Sequence, residues 1–344
     1  MLKITLSCVV IVVLVLSILM ALRWFSRSHN SISKQSGNQI VEGDAAFYEA
    51  VLIEEAQKGD VEAQVALGLL YHKGVKVPQD YERAVMWYTK AAEQGDGSAQ
   101  GNLGLMYYNG QGVSQDYAQA VKWLTKSAEQ GYCVAQNNLG MMYNDGTGVT
   151  KDFEQAAKWF MKSAEQGDAV AQNNLAMMYD SGEGVPQDRN KALELYLKAA
   201  DGGNADAKNS LGTIYEEGTV VPQDYKQAVQ WFTESAEQGY AIAQKNLGQM
   251  YYYGEGIAQD YEQAAKWFGR AAEQGNINAQ YYLGVLYYNG EGLQVDYIQA
   301  YKWLDIAAAQ GDKNAKESRD MVKQQMSGVE FLEAQRLSNE FRTK

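Results

Sequence analysis

The stretch GYCVAQNNLGMMYNDGTGVTKDFEQAAKWFMKSAEQ (residues 131–166) decides the fold, because the chain repeats it. Its first glycine, Gly131, is one of a row: Gly59, Gly95, Gly131, Gly167, Gly203, Gly239, Gly275 and Gly311, every interval 36 residues. Nothing is inserted or deleted across seven copies, and such strict spacing marks a repeat architecture.

Within each copy, three positions after the period glycine carry the pattern of a first helix, A. In the quoted copy they are Ala135, Leu139 and Tyr143. Spacings of four residues share one helical face, so these side chains form an apolar stripe. A glycine follows the leucine at Gly68, Gly104, Gly140, Gly212, Gly248 and Gly284, with Ala176 in the fourth copy. Glycine inside a helix costs about 1 kcal/mol against alanine; its recurrence predicts close approach of a neighbouring helix. Helix A stops at a glycine such as Gly146, and a loop follows.

A second helix, B, opens on Asp80, Asp116, Asp152, Asp188, Asp224, Asp260 or Asp296, in five cases with glutamine three residues on. That spacing predicts a capping box. Helix B then carries a small alanine such as Ala156 and, three residues later, a tryptophan such as Trp159, replaced by Leu195 in the fourth copy. One such pair cannot bury its own apolar face, so the copies must stack. The fold class is therefore all-α: an α-solenoid of 36-residue two-helix repeats. Residues 44–59 have helix B phasing and suit an N-terminal cap; residues 60–311 are the seven repeats; residues 312–344 suit C-terminal capping helices, since Arg319 and Lys323 stand where the leucine and tyrosine would fall.

Ahead of the repeats, Ile4–Leu22 is an uncharged, largely apolar run long enough to span a bilayer core. It ends in Leu22-Arg23-Trp24-Phe25, without a small-x-small cleavage site. We read residues 1–25 as one N-terminal transmembrane helix and residues 26–43, rich in Ser, Asn, Gln and Gly, as a flexible tether. Lys3 precedes the run and Arg23, Arg27 and Lys34 follow it, so positive charge flanks both ends and the positive-inside rule does not fix the orientation.

The formal charge of −12 argues against nucleic acid, which requires a basic face, and favours basic partners. Of the two cysteines, Cys8 lies in the apolar run, so the fold must stand without a Cys8–Cys133 disulfide. His29 and His72 are isolated, no Cys/His group has metal-ligand spacing, and the Gly-x-Gly pairs recur as turn residues. We expect no catalytic residue, no cofactor and no small-molecule substrate. Partner contacts are expected on helix A positions that packing leaves over. Asn102, Asn138, Asn174 and Asn246 share one register; they either form a ladder for an extended peptide or bond to neighbouring helices. Among 24 tyrosines, Tyr252, Tyr253, Tyr281, Tyr282 and Tyr288 cluster late, with Tyr108 an earlier counterpart. They suit binding hot spots, or else pack between repeats.

These residues together resemble the Sel-1-like repeat family, relatives of tetratricopeptide repeats, over roughly residues 60–325. The third copy carries the family pattern as Ala135, Leu139, Gly140, Tyr143, Gly146, Gly148, Val149, Asp152, Ala156, Trp159 and Ala164. The second loop glycine is replaced by Val220 in the fifth copy and Lys76 in the first. The resemblance implies a right-handed superhelix whose concave helix A face binds a protein or peptide. It also implies roles as adaptor, envelope regulator or immunity protein against a toxin. A cell-wall or β-lactam hydrolase is a weaker implication, since the members given that activity are cysteine-rich. With the anchor, we expect a scaffold on the bacterial inner membrane with its repeats in the periplasm.

Overall fold

A computed structural model describes residues 45–75 and 77–343. The expected anchor (1–25) and tether (26–43), and Lys76, lie outside the described residues. Among the described residues no helix is long and apolar enough to cross a membrane. There are seventeen helices and no strand among them. The first unit, ending at Asp188, holds α1 (Ala45–Gln57), α2 (Val61–Lys73), α3 (Tyr81–Glu93), α4 (Gly97–Asn109), α5 (Tyr117–Glu129), α6 (Cys133–Asp145), α7 (Phe153–Glu165) and α8 (Ala169–Ser181). The second, beginning at Arg189, holds α9 (Arg189–Asp201), α10 (Ala205–Glu217), α11 (Tyr225–Glu237), α12 (Ala241–Tyr253), α13 (Tyr261–Glu273), α14 (Ile277–Asn289), α15 (Tyr297–Ala309), α16 (Lys313–Lys323) and α17 (Gly328–Arg342). Each unit is an α-solenoid of stacked helical hairpins. The division falls in the fourth copy, the one with Ala176 and Leu195.

The aspartates cap helix B as expected: Asp116 Oδ1 accepts from the Gln119 backbone N–H at 2.9 Å, and Asp260 does the same with Gln263 at 3.0 Å. The reciprocal half of a capping box is not used there, which corrects the expectation. The backbone N–H of each aspartate is already taken by the carbonyl of the repeating stripe tyrosine of its own helix A, as in Asp116 N to Tyr107 O at 3.0 Å and Asp260 N to Tyr251 O at 2.9 Å. A full capping box closes at Ser327 and Glu330, ahead of α17. Replacing Asp116 by alanine should cost about 1 kcal/mol in urea unfolding, the usual loss for a helix N-cap. Gln119→Ala should cost distinctly less, because only its backbone takes part.

The apolar cores sit between repeats. One cluster joins Ala120, Leu124 and Ala128 of α5 to Ala135, Leu139 and Met142 of α6 and Trp159 of α7. Another joins Ala228, Phe232 and Ala236 of α11 to Ala243, Leu247 and Met250 of α12 and Trp267 of α13. Each draws helix B of one copy against helix A and the tryptophan of the next, as stacking requires.

The mid-helix glycine has its reason within the copy. A Cβ on Gly248 would stand 2.7 Å from the Phe268 ring, and one on Gly212 2.5 Å from the Phe232 ring. Helix A thus lays its bare backbone on a large side chain of its own helix B. The second loop glycine joins copies instead. Gly256 has φ +70°, and a Cβ there would lie 2.3 Å from the Tyr225 carbonyl oxygen of the preceding helix B.

A polar relay that the sequence pattern does not announce runs beside these cores. Gln136 Nε2 donates to the Ala128 carbonyl at 3.0 Å, and Gln136 Oε1 accepts from Gln166 Nε2 at 2.7 Å. Gln64, Gln100, Gln244 and Gln280 repeat it with Gln94, Gln130, Gln274 and Gln310. Each relay ties the end of one helix B to the next helix pair and satisfies carbonyls that a helix end leaves open.

The C-terminal helices close the second unit. Arg319 and Arg342 both reach Asp305 of α15, at 3.1 and 2.9 Å, and Ser338 donates to it at 2.9 Å. Val322 and Ala334 are buried against Tyr301 and Leu304. Arg319, at a leucine position of the pattern, therefore has a buried acid to meet.

Candidate functional site

The helix A residues left over by packing divide sharply. Asn138 is only 3 % exposed, and its amide donates to the Val134 carbonyl of its own helix at 2.8 Å. Asn174 donates to Asn137 Oδ1 at 3.0 Å, and Asn246 to Asn209 Oδ1 at 2.9 Å, each from the preceding copy. The asparagines therefore do not line up as one exposed ladder: the short amide is held by the repeat before it or by its own helix. Asn102 is half-buried, and Val65 occupies the position that would supply its partner.

In the second unit a hydrogen-bond chain crosses three successive helix A segments. From the Asn209–Asn246 pair it passes to Lys245, whose ammonium donates to Asn246 Oδ1 and, at 3.1 Å, to Gln249 Oε1. Gln249 Nε2 donates to the Tyr282 hydroxyl at 3.4 Å, and the Tyr282 and Tyr253 hydroxyls share a bond of 3.0 Å. Burial lowers the Lys245 ammonium pKa against the opposing pull of Glu216, and burial raises Glu216.

The aromatic rings gather at the end of this chain. Tyr282 stacks on Phe268 with ring planes 8° apart and centroids at 5.0 Å. Tyr252 meets Tyr253 at 5.0 Å, Tyr261 at 5.3 Å and Tyr282 at 5.6 Å, and Tyr281 meets Tyr282 at 5.4 Å. Four of the expected tyrosines thus form one cluster. Its outermost member, Tyr253, is 52 % exposed, and its hydroxyl is held above the usual pKa by the bond to Tyr282 and by burial. The surface offers broad ring area with hydroxyls already oriented, which suits recognition of a protein. Tyr108 and Tyr288 stand elsewhere, each edge-on or tilted against the first aromatic of its own helix B, Tyr117 at 5.3 Å and Tyr297 at 5.9 Å. His72 holds the same register in the first copy against Tyr81 at 5.7 Å.

Lys245, Gln249 and Phe268 belong to the site although the sequence pattern did not single them out. For the first two a signal was available: Lys245 follows Asn137, Asn173 and Asn209 in one register, and Gln249, after Thr213, stands where Leu69, Leu105, Met141 and Met177 do in another. A residue that breaks a regular pattern between packing positions is free to serve something other than packing.

Other chemical groups lie apart. Burial, then Asp168, pushes the half-buried Cys133 thiol up, away from the thiolate that a nucleophile needs. Burial and then Lys73 lower His72. Among the described residues no group of three or more His, Cys, Asp or Glu side chains could hold a metal ion.

Known proteins share this architecture. The family model of the Sel1 repeat matches residues 61–96, 97–132, 133–168, 169–204, 205–240, 241–276 and 277–312. The crystal structure of a Sel1 repeat protein from Oxalobacter formigenes is 36% identical over 81% of this chain and 80% of its own, with a TM-score of 0.67. Protein c5321, described as a protective antigen of uropathogenic Escherichia coli with an SLR fold, is 33% identical over 88% of this chain and 81% of its own, TM-score 0.46. The immunity protein Pa5087 from Pseudomonas aeruginosa is 21% identical over 62% of this chain and 81% of its own, TM-score 0.41. No curated protein matches.

Proposed function

This chain belongs to the Sel1 repeat family, and on that premise we propose that it is a non-catalytic, membrane-tethered scaffold that binds a protein or peptide on the helix A faces of its fifth to seventh repeats. Sel1 repeat proteins are protein-interaction scaffolds. The observation that carries the reading is the tyrosine cluster of α12 and α14, with Tyr253 half exposed at the end of an ordered hydrogen-bond chain. Rings held by stacking and hydroxyls held by hydrogen bonds lose little freedom on binding, so their contact area converts efficiently into affinity. In this reading residues 1–25 anchor the chain, with the bacterial inner membrane as its site and the periplasm around the repeats. The support for this is the uncharged run Ile4–Leu22 followed by Trp24 and Phe25.

The test is a crosslinking pull-down from cells with the full chain and with Tyr253→Ala. A hot-spot tyrosine is worth about 2 kcal/mol or more, so capture of the partner should fall by more than tenfold while the thermal midpoint stays within error. Equal recovery of every partner would remove this surface from the reading. An immunity or regulatory protein would hold one toxin or envelope enzyme on the same face, and the identity of the captured band separates that role from a general adaptor.

A further inference from the structure

Carboxylates ring the tyrosine cluster at places where helix physics does not favour them. Glu216 and Glu217 stand in the last turn of α10, and no basic residue stands in the last turn of α10, α12 or α14. The C-terminal end of a helix carries negative partial charge and disfavours anions. Glu255 and Glu291 come one residue after the glycines that end α12 and α14, one repeat apart. Their backbone N–H groups donate to the Met250 and Leu286 carbonyls at 3.1 and 3.2 Å, which fixes both at the helix ends that carry Tyr252, Tyr253 and Tyr288. These charges reach the rings and one another. After the Tyr282 bond and burial, Glu255 also raises the Tyr253 hydroxyl; burial and then Glu291 raise Tyr252. Burial first, then Glu255 and Glu217 against the pull of Lys245, raises Glu216. None of the four carboxylates forms a salt bridge among the described residues; Glu291 takes an amide N–H of Asn289 at 3.3 Å. Lys245 answers them with a single charge, already engaged with Asn246 and Gln249.

Charge and ring area together select the occupant. The tyrosine hydroxyls are neutral and either donate or accept, so the carboxylates set the sign of this face. Water solvates carboxylates but gains nothing from a ring, and Tyr253 leaves its ring half exposed beside them. A flat cation meets both demands. A guanidinium stacks on a tyrosine face and presents paired donors to a carboxylate, whereas the compact, strongly hydrated ammonium of lysine has no flat face to stack and no fork of donors. We propose that the protein partner sets an arginine here, its guanidinium against the Tyr253 ring and its N–H groups donating to Glu255, with Glu216 and Glu291 adding charge. The inference rests on the protein-binding reading and names the chemistry that this face selects.

The full chain, held in detergent, is titrated into a fluorescently labelled peptide that alternates glycine and arginine, and into its lysine and citrulline counterparts, with anisotropy as the readout. The arginine peptide should bind saturably. The lysine peptide should bind severalfold more weakly, and the citrulline peptide, which keeps the shape without the charge, should not bind. Glu255→Gln should raise the dissociation constant of the arginine peptide about tenfold, the usual worth of a hydrogen bond to a charged group, with no fall in the thermal midpoint. Glu129→Gln removes an exposed acid at the end of α5, in the first unit. It should leave binding as it was, which separates this site from the general attraction of a net charge of −12. No saturable binding, a lysine or citrulline peptide that matches the arginine one, an unchanged Glu255→Gln chain, or an equal loss in Glu129→Gln would overturn the proposal. The two readings fail separately: if Tyr253→Ala lowers capture of the partner and Glu255→Gln does not, the tyrosine face stands and the arginine falls.

Discussion

Gly256→Ala should destabilise the fifth-to-sixth repeat junction by about 3–5 kcal/mol, combining the strain of a left-handed backbone with an overpacked contact. Two penalties coincide at this residue. Its φ of +70° lies where an alanine side chain is strained, and the new Cβ would sit 2.3 Å from the Tyr225 carbonyl oxygen, a backbone atom that cannot swing aside as a side chain can. Gly239 separates the two. It has φ +90° but nothing within 4 Å of an added Cβ, so Gly239→Ala should suffer only the backbone term of about 1–2 kcal/mol. Hydrogen exchange across α11 and α12 in both variants checks the difference. If the two substitutions lower protection equally, the loop glycine recurs in the pattern for its torsion alone, and the contact between copies contributes nothing.

Asp305→Ala should cost about 3 kcal/mol, because it leaves two arginines facing a site built for a carboxylate. Arg319 and Arg342 come from separate helices, and the buried Ser338 hydroxyl bonds to the same acid. The three partners pin α16 and α17 to α15 at one point. The loss should therefore appear as faster exchange and earlier tryptic cleavage within Gly328–Arg342, ahead of any change in α11 to α13. Arg336→Ala provides the contrast. Its bonds to Glu333 and Glu340 are wholly exposed on one helix, and exposed pairs contribute little, so protection should be unchanged. Should Asp305→Ala also leave α17 protected, the apolar contacts of Val322, Ala334 and Phe331 hold these helices without help from the charges.

Much of the fold was legible because a repeat multiplies each signal. Gly248 alone would be a curiosity; with five equivalents it pointed to a close helix approach, and Phe268 fills that place. The caps and helix ends were readable for the same reason. The glutamine relay was not, although the register of Gln136 is broken in the seven copies by Lys208 alone. Glutamine is ordinarily a surface residue, and only coordinates reveal that its amide closes a helix end. The capping box at helix B was overread because a sequence shows which groups are near in the chain, not that a tyrosine carbonyl from the previous helix has already taken the aspartate N–H. Of the candidate site, composition gave the tyrosines, but the joining of Tyr253, Tyr282, Gln249 and Lys245 depends on side-chain directions that periodicity leaves open.

The two clusters that join α5 to α6 and α7, and α11 to α12 and α13, are built from equivalent positions, so the hairpin surfaces that meet at these two junctions are nearly the same. Removing one whole 36-residue cassette at such a junction would bring like surfaces together again. Only the final hairpin demands something bespoke, and the Asp305 clasp supplies it: a stop signal, written in charge, on a polymer whose monomers would otherwise accept another of their kind.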